Sequence, residues 1–145
     1  MNLIGLDIGG RRIGVAVSRG ENIIASPLRT LEYDDEDKVV AELARLIAAE
    51  KTDTVVFGVP LGHAAASGAG PTQEDRIRAF VERLRPACSA EFVAVDESFT
   101  TRTAEKAMSE MKVKRAKRKQ LGDRLAAVLI LQYYIDSRKS GSTKK

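Results

Sequence analysis

Met1-Asn-Leu-Ile-Gly-Leu-Asp7-Ile8-Gly9-Gly10 opens the chain. The run through Ile8 is nearly continuous apolar sequence and reads as a buried strand that runs into a glycine turn. Asp7 is the exception within it. A carboxylate set between Leu6 and Ile8 is costly to bury unless donors, a cation or water meet it. Two accounts of Asp7 stand side by side. It is either a turn residue whose side chain caps the Gly9-Gly10 backbone, or an acid held at a strand end for chemistry.

Working outward, Ile13 to Val17 reads as a second strand and Asn22 to Ala25 as a third, with Pro27 closing the run. The links, Gly9 to Arg12 and Arg19 to Glu21, are short, which favours an antiparallel meander. Helix and strand then alternate. Asp35 to Glu50 carries Val39, Leu43, Leu46 and Ile47 at helical spacing, with acids at its start where the helix dipole favours them. Thr54 to Phe57 is a β-branched strand, and Gly58 to Gly70 a Gly- and Ala-rich loop, either a lid over a ligand or a linker. Pro71 opens a helix with Ile77, Phe80, Val81 and Leu84 on one face. Glu91 to Val95 is a fifth strand. Thr100 or Thr101 caps a helix from Arg102 to about Met111, and Leu121 to Ser137 forms the last. The order is β-β-β-α-β-α-β-α-α. Helical crossovers imply parallel pairing of the later strands. The expectation is an α/β fold: one domain over residues 1–139, a mixed five-stranded sheet with helices on both faces, and a disordered tail at 140–145.

The chain has 145 residues, enough for one core. Its 43% hydrophobic content with no Trp makes that core aliphatic. No apolar run approaches the roughly 20 residues that span a membrane, and no leader pattern precedes the first strand. Cys88 is the only cysteine, which excludes an intramolecular disulfide and a Cys-based zinc site. A soluble cytoplasmic protein is expected. Net charge is +4, but it is uneven. Lys112-Val-Lys114-Arg115-Ala-Lys117-Arg118-Lys119 holds six basic residues in eight; the remaining 18 basic and 20 acidic residues leave the rest of the chain at −2. A local basic patch points to a polyanion partner.

Two further groups of acids sit at element ends. Asp96-Glu97 follows the fifth strand, where ligands collect in open α/β sheets. Strand alternation puts the two on opposite faces, so at most one points at a shared site, and spacing does not say which. Asp123 opens the last helix. An acid there stabilises a helix through its dipole, yet Asp123, Ala126, Ala127 and Ile130 share a face. Small residues on that face would let the helix lie close to the sheet. If the three carboxylates converge, they repel one another, and hard Mg²⁺ or Mn²⁺ is the natural remedy. Two such ions about 3.5–4 Å apart serve phosphodiester hydrolysis. With His63 the only histidine, imidazole-rich zinc chemistry is not expected.

Gly5-Leu-Asp7-Ile-Gly9-Gly-Arg-Arg12-Ile-Gly14-Val-Ala16 resembles the opening motif of the YqgF family, also called RuvX, RNase H-like proteins related to the Holliday junction resolvase RuvC. Phe57-Gly58-Val-Pro60, Asp96-Glu97-Ser-Phe-Thr100-Thr101 and Asp123-Arg-Leu-Ala126-Ala127-Val-Leu-Ile-Leu-Gln132 resemble the later motifs, in order along nearly the whole chain. The resemblance implies an RNase H-like fold and a metal-dependent nuclease. It implies that Asp7, Glu97 and Asp123 are the catalytic, metal-holding carboxylates, which selects Glu97 over Asp96. Family members are associated with processing the 5′ end of precursor 16S ribosomal RNA, and some with resolving Holliday junctions. Three departures bear on substrate rather than on the carboxylates: Arg19 after Ser18 where Asp is usual, Ser98 after Glu97 where Arg is usual, and Leu61-Gly-His-Ala-Ala65 where the family reads like Asn-Met-x-Gly-Thr.

Other residues carry paired readings. Lys112, Lys114, Arg115, Lys117, Arg118 and Lys119 either grip phosphates or form a solvated charge run; joined to a carboxylate helix, they favour nucleic acid. Arg12 either touches a scissile phosphate or pairs with a surface acid. Thr100 and Thr101 read as caps, His63 as a solvent residue and Cys88 as a packing residue. The leading function is a divalent-metal-dependent endonuclease on structured nucleic acid, with precursor rRNA first and branched DNA second. Junction resolution would call for a homodimer, because symmetric cuts need paired sites. A nucleotide phosphotransferase is the second class, since Asp-x-Gly after a first strand also serves actin-like ATPases and sugar kinases; those use two such domains, and this chain has one. A non-catalytic nucleic-acid-binding module is the third, and it leaves the three acids unexplained.

Overall fold

The computed structural model describes residues 1–20, 24–60, 72–96 and 125–138. Its strands are β1 (Leu3–Ile8), β2 (Arg12–Ser18), β3 (Ser26–Glu32), β4 (Thr54–Val59) and β5 (Glu91–Asp96), and its helices α1 (Glu36–Ala49), α2 (Gln73–Leu84) and α3 (125–138). The strands form one mixed sheet in the order β3-β2-β1-β4-β5. β1, β2 and β3 are the expected antiparallel meander, and β4 and β5 are added in parallel to β1.

Period-two alternation splits the sheet residues between two cores. Ile4, Leu6 and Ile8 of β1, with Ile13, Val15 and Val17 of β2, pack with Val39, Leu43 and Ile47 of α1 and Ile77, Phe80, Val81 and Leu84 of α2. Leu3, Ala16, Val56 and Val95 pack on the other side with Ala127, Ile130, Leu131 and Ile135 of α3. Helices therefore cover both faces, as the element order implied.

Three boundaries differ from the sequence reading. The third strand is Ser26–Glu32, where Asn22 to Ala25 was expected; of that stretch Ile24 and Ala25 are among the described residues, and neither is in a strand. Pro27 lies inside it, opposite Ala16. Proline lacks an N–H to donate, but β3 is an edge strand with one side unpaired. The register also slips there: Val15 and Ala16 face Arg29 and Pro27, so Leu28 is an extra bulged residue. β4 continues through Gly58 and Val59, which pair with Val95 and Asp96. All six residues of this central strand are buried. The cap of α2 is Thr72, in a reciprocal box with Asp75; Pro71 lies outside the described residues, as do the rest of the 61–71 loop and the helix expected from Arg102 to Met111. The tail at 140–145 lies outside them too.

A polar clamp joins α1 to α2. The Tyr33 hydroxyl donates to Glu36, and Arg83 donates to Glu36 and Asp37. Burial first, and then the Glu36 bond, push the Tyr33 phenol above its ordinary pKa, so it stays a donor. The Tyr33 bond, then Arg83, hold the Glu36 carboxyl below its ordinary value. A depressed carboxylate pKa adds stability above the unfolded pKa and loses it as pH falls through the folded one. Arg83→Ala should therefore be less stable than the wild type at neutral pH. That gap, read as the difference in urea midpoints, should close on acidification through the carboxylate range. The effect is small because the groups are exposed. A gap that is constant with pH would exclude the clamp as its source.

Candidate active site

Asp7 is the penultimate residue of β1 and is part-exposed, whereas its neighbours Leu6 and Ile8 are buried. It sits opposite Gly14 in the β1–β2 ladder, so the residue directly across from it carries no side chain. The turn that follows is tight: the Gly9 N–H donates to the Arg12 carbonyl at 2.9 Å. A Cβ on Gly9 would come within 2.8 Å of that oxygen, so a side chain there would prise the turn open and shift the end of β1.

Asp7 belongs to the face of Leu3 and Gly5, the face covered by α3. The helix lies against β1 at Gly5, where an added Cβ would meet Leu131 Cβ at 2.7 Å and the Ala127 carbonyl at 2.8 Å. The small-residue face expected of the last helix is thus used as anticipated: Ala126, Ala127 and Ile130 are buried.

Arg12 begins β2 on the same sheet face, two residues from Gly14 and so diagonal to Asp7, about 7–8 Å across the ladder. Its partner across β3 is Glu32, the surface acid that the alternative reading requires. Asp96 stands at the end of β5 and pairs with Val59. Alternation from Phe92 and Ala94 assigns it to the α1–α2 face, opposite to that of Asp7. Val95, level with Asp7 in register and two strands away, is on the α3 face. Among the described residues, no three His, Cys, Asp or Glu side chains gather as a metal centre. Glu97, Asp123, Ser98, His63 and the basic residues Lys112, Lys114, Arg115, Lys117, Arg118 and Lys119 lie outside the described residues. Cys88 is half-buried with its thiol pKa raised by burial, as a packing residue should be.

Arg19, the first departure from the family pattern, makes an ion pair at the surface. Its guanidinium bonds Glu50 at the end of α1, at 2.7 and 2.9 Å. It follows Ser18, which pairs with Leu3 at the start of β1. Leu3 lies four positions before Asp7, about 13 Å along β1, so Arg19 stands at the other end of that strand from Asp7.

A five-stranded mixed sheet in this strand order, covered by helices on both faces, is the fold of RuvC-like, RNase H-like proteins. The *Thermus thermophilus* RuvC solved with a Holliday junction substrate matches with a TM-score of 0.60 at 16% identity, covering 97% of this chain and 96% of that one. The fowlpox virus Holliday junction resolvase matches at 0.57 and 14%, covering 94% and 99%. At the level of sequence, residues 1–137 match the family described as "RuvX: Holliday junction resolvase". Proteins named "Putative pre-16S rRNA nuclease" from *Desulforudis audaxviator* and *Chloroflexus aggregans* are 37% and 38% identical, over 97% and 95% of this chain and 98% and 95% of theirs. The chain belongs to the RuvX family.

Proposed function

We propose that this chain is a metal-dependent endonuclease that trims precursor 16S ribosomal RNA, with Asp7, Glu97 and Asp123 as its carboxylates. The observation that carries the reading is the placement of Asp7: a part-exposed acid at the carboxyl end of β1, on the sheet face against which α3 packs. Asp96 belongs to the opposite face, and Glu97, the acid that the family motif selects, is the second carboxylate of this reading. Asp123 precedes α3, the helix that lies on β1 at Gly5. The relatives named for pre-16S rRNA match end to end, and they favour RNA over junction DNA as the substrate.

The donor chemistry fits Mg²⁺ or Mn²⁺, because carboxylate oxygens are hard ligands. When bound, a pair of such ions supplies an activated water and neutralises the leaving oxygen. The protein's own part is to hold the acids at fixed strand and helix ends and to bring a strand to them. To Arg12, diagonal to Asp7 in the β1–β2 ladder, this reading assigns a contact with a substrate phosphate. No helix among the described residues is long and apolar enough to cross a membrane; the cytoplasmic setting belongs to this reading through the precursor rRNA named for the relatives.

Substrate choice is tested by product pattern. Incubated with precursor 16S RNA and with a four-way DNA junction, the protein should cut the RNA near its 5′ boundary and leave the junction largely intact. Symmetric paired cuts in the junction, together with a dimer in solution, would transfer the assignment to junction resolution. The basic segment should grip the backbone. Neutralising Lys114, Arg115, Lys117 and Arg118 together should weaken binding and reduce the slope of log affinity against log salt by about 3–4. An unchanged slope would remove the segment from the interface.

A further inference from the structure

We propose that the cleft beneath the Gly9-Gly10 turn is a subsite for one nucleotide of the substrate strand, with Arg76 on its phosphate; this rests on the nuclease reading above. The cleft holds about 230 Å³ and is lined by Ile8, Gly9, Gly10, Tyr33, Gln73, Arg76, Ile77 and Phe80. Ligand pockets commonly run from about 300 to 1,000 Å³, so this one suits a single base and sugar.

Its floor is apolar and its mouth is cationic. Ile77 and Phe80 are almost fully buried. The Tyr33 ring tilts against Phe80 at 5.3 Å between centroids. Because the Tyr33 hydroxyl is committed to Glu36, its ring is what the cleft uses. The Tyr33 ring, which is part-exposed and backed by Phe80, can accept any base, since every base has a π face. Gln73 adds an amide able to donate and accept.

The cations of α2 are not equivalent. Arg78 bonds Glu74. Arg83 bonds Glu36 and Asp37. Arg85, at the helix end, pairs with Glu82 and lies over Phe92. Arg76 lines the cleft and has no ionic partner among the described residues. The nearby acids are already engaged, Glu74 by Arg78 and Asp75 by the Thr72 cap. An arginine left uncompensated at the rim of an aromatic cleft is matched by a phosphodiester.

The location joins the cleft to the chemistry. Ile8 lines it, and Asp7 is the preceding residue on the other face of the same strand end. Successive strand residues are about 3.3 Å apart. A nucleic-acid strand lodged in the cleft would pass over the side-chain-free Gly9-Gly10 turn and deliver the next phosphodiester to Asp7.

The test is fluorescence anisotropy with a short single-stranded RNA and its DNA counterpart, in Ca²⁺. Wild type, Arg76→Ala, Arg76→Lys and Arg78→Ala are compared, with circular dichroism to verify folding. Arg76→Ala should weaken binding about tenfold or more, and Arg78→Ala less than about twofold, as fits loss of one charge-assisted contact against loss of an already paired surface charge. Arg76→Lys should recover part of the loss. RNA and DNA losing affinity alike indicates a backbone-and-stacking subsite, whereas loss for RNA alone indicates a contact to the ribose hydroxyl; both support it. Wild-type-like affinity in Arg76→Ala would overturn the subsite and leave the nuclease reading intact. A wild type that binds neither strand would remove both.

Discussion

Asp7→Asn should abolish cleavage while leaving the fold intact. Asparagine keeps the shape and one acceptor but loses the charge that a hard cation requires. A fall of at least about a thousandfold in rate, roughly 4 kcal/mol in the barrier, is expected in single-turnover assays. Stability should move the other way. Asp7 is part-exposed at a strand end; with Glu97 and Asp123 beside it, as proposed above, its neutralisation would relieve their repulsion, and the metal-free variant should melt at or above the wild-type temperature. Added Mn²⁺ should raise the wild-type Tm by mass action and leave the variant unmoved. Full activity in Asp7→Asn would return the residue to the role of a turn cap.

The second large effect is on stability, at a glycine that contacts no substrate. Gly5→Ala places a methyl group 2.8 Å from the Ala127 carbonyl and 2.7 Å from Leu131 Cβ. Neither neighbour is the tip of a flexible chain, so α3 must move off β1. Overpacking of this kind costs about 2–3 kcal/mol, or roughly 5–10 °C in Tm for a domain of this size. The control is Gly10→Ala, where an added Cβ meets nothing within 4 Å and Tm should hold within about 1 °C. Equal Tm values for the two variants would show that the helix does not rest on the strand at Gly5. Because Asp123 precedes α3, lower cleavage by Gly5→Ala under folding conditions is expected as well.

These two residues also mark what sequence reasoning reached. The apolar run broken by Asp7 identified β1, the short links identified the meander, and the helical crossovers identified the parallel half of the sheet, because each is a local periodicity. The close approach of α3 was anticipated from Ala126 and Ala127. What local pattern did not carry was context. Pro27 reads as a terminator unless β3 is known to be an edge strand with a bulge at Leu28. Gly58 and Val59 read as loop until β5 is paired beside them. Spacing alone did not choose between Asp96 and Glu97, and the family motif did; the packing of Phe92 and Val95 puts Asp96 on the face opposite Asp7, while Glu97 lies outside the described residues. Arg76 was passed over because only the pairing of its neighbours distinguishes it. Thr72 with Asp75 was a capping signal available in the sequence and overshadowed by Pro71.

The most direct test of the central claim is a metal titration of cleavage. The protein, stripped with chelator and incubated with precursor 16S RNA, should be inert, and cleavage should appear on adding Mg²⁺ or Mn²⁺ in proportion to metal bound. Cleavage that proceeds equally in chelator, or none at any concentration of either ion, would contradict the account.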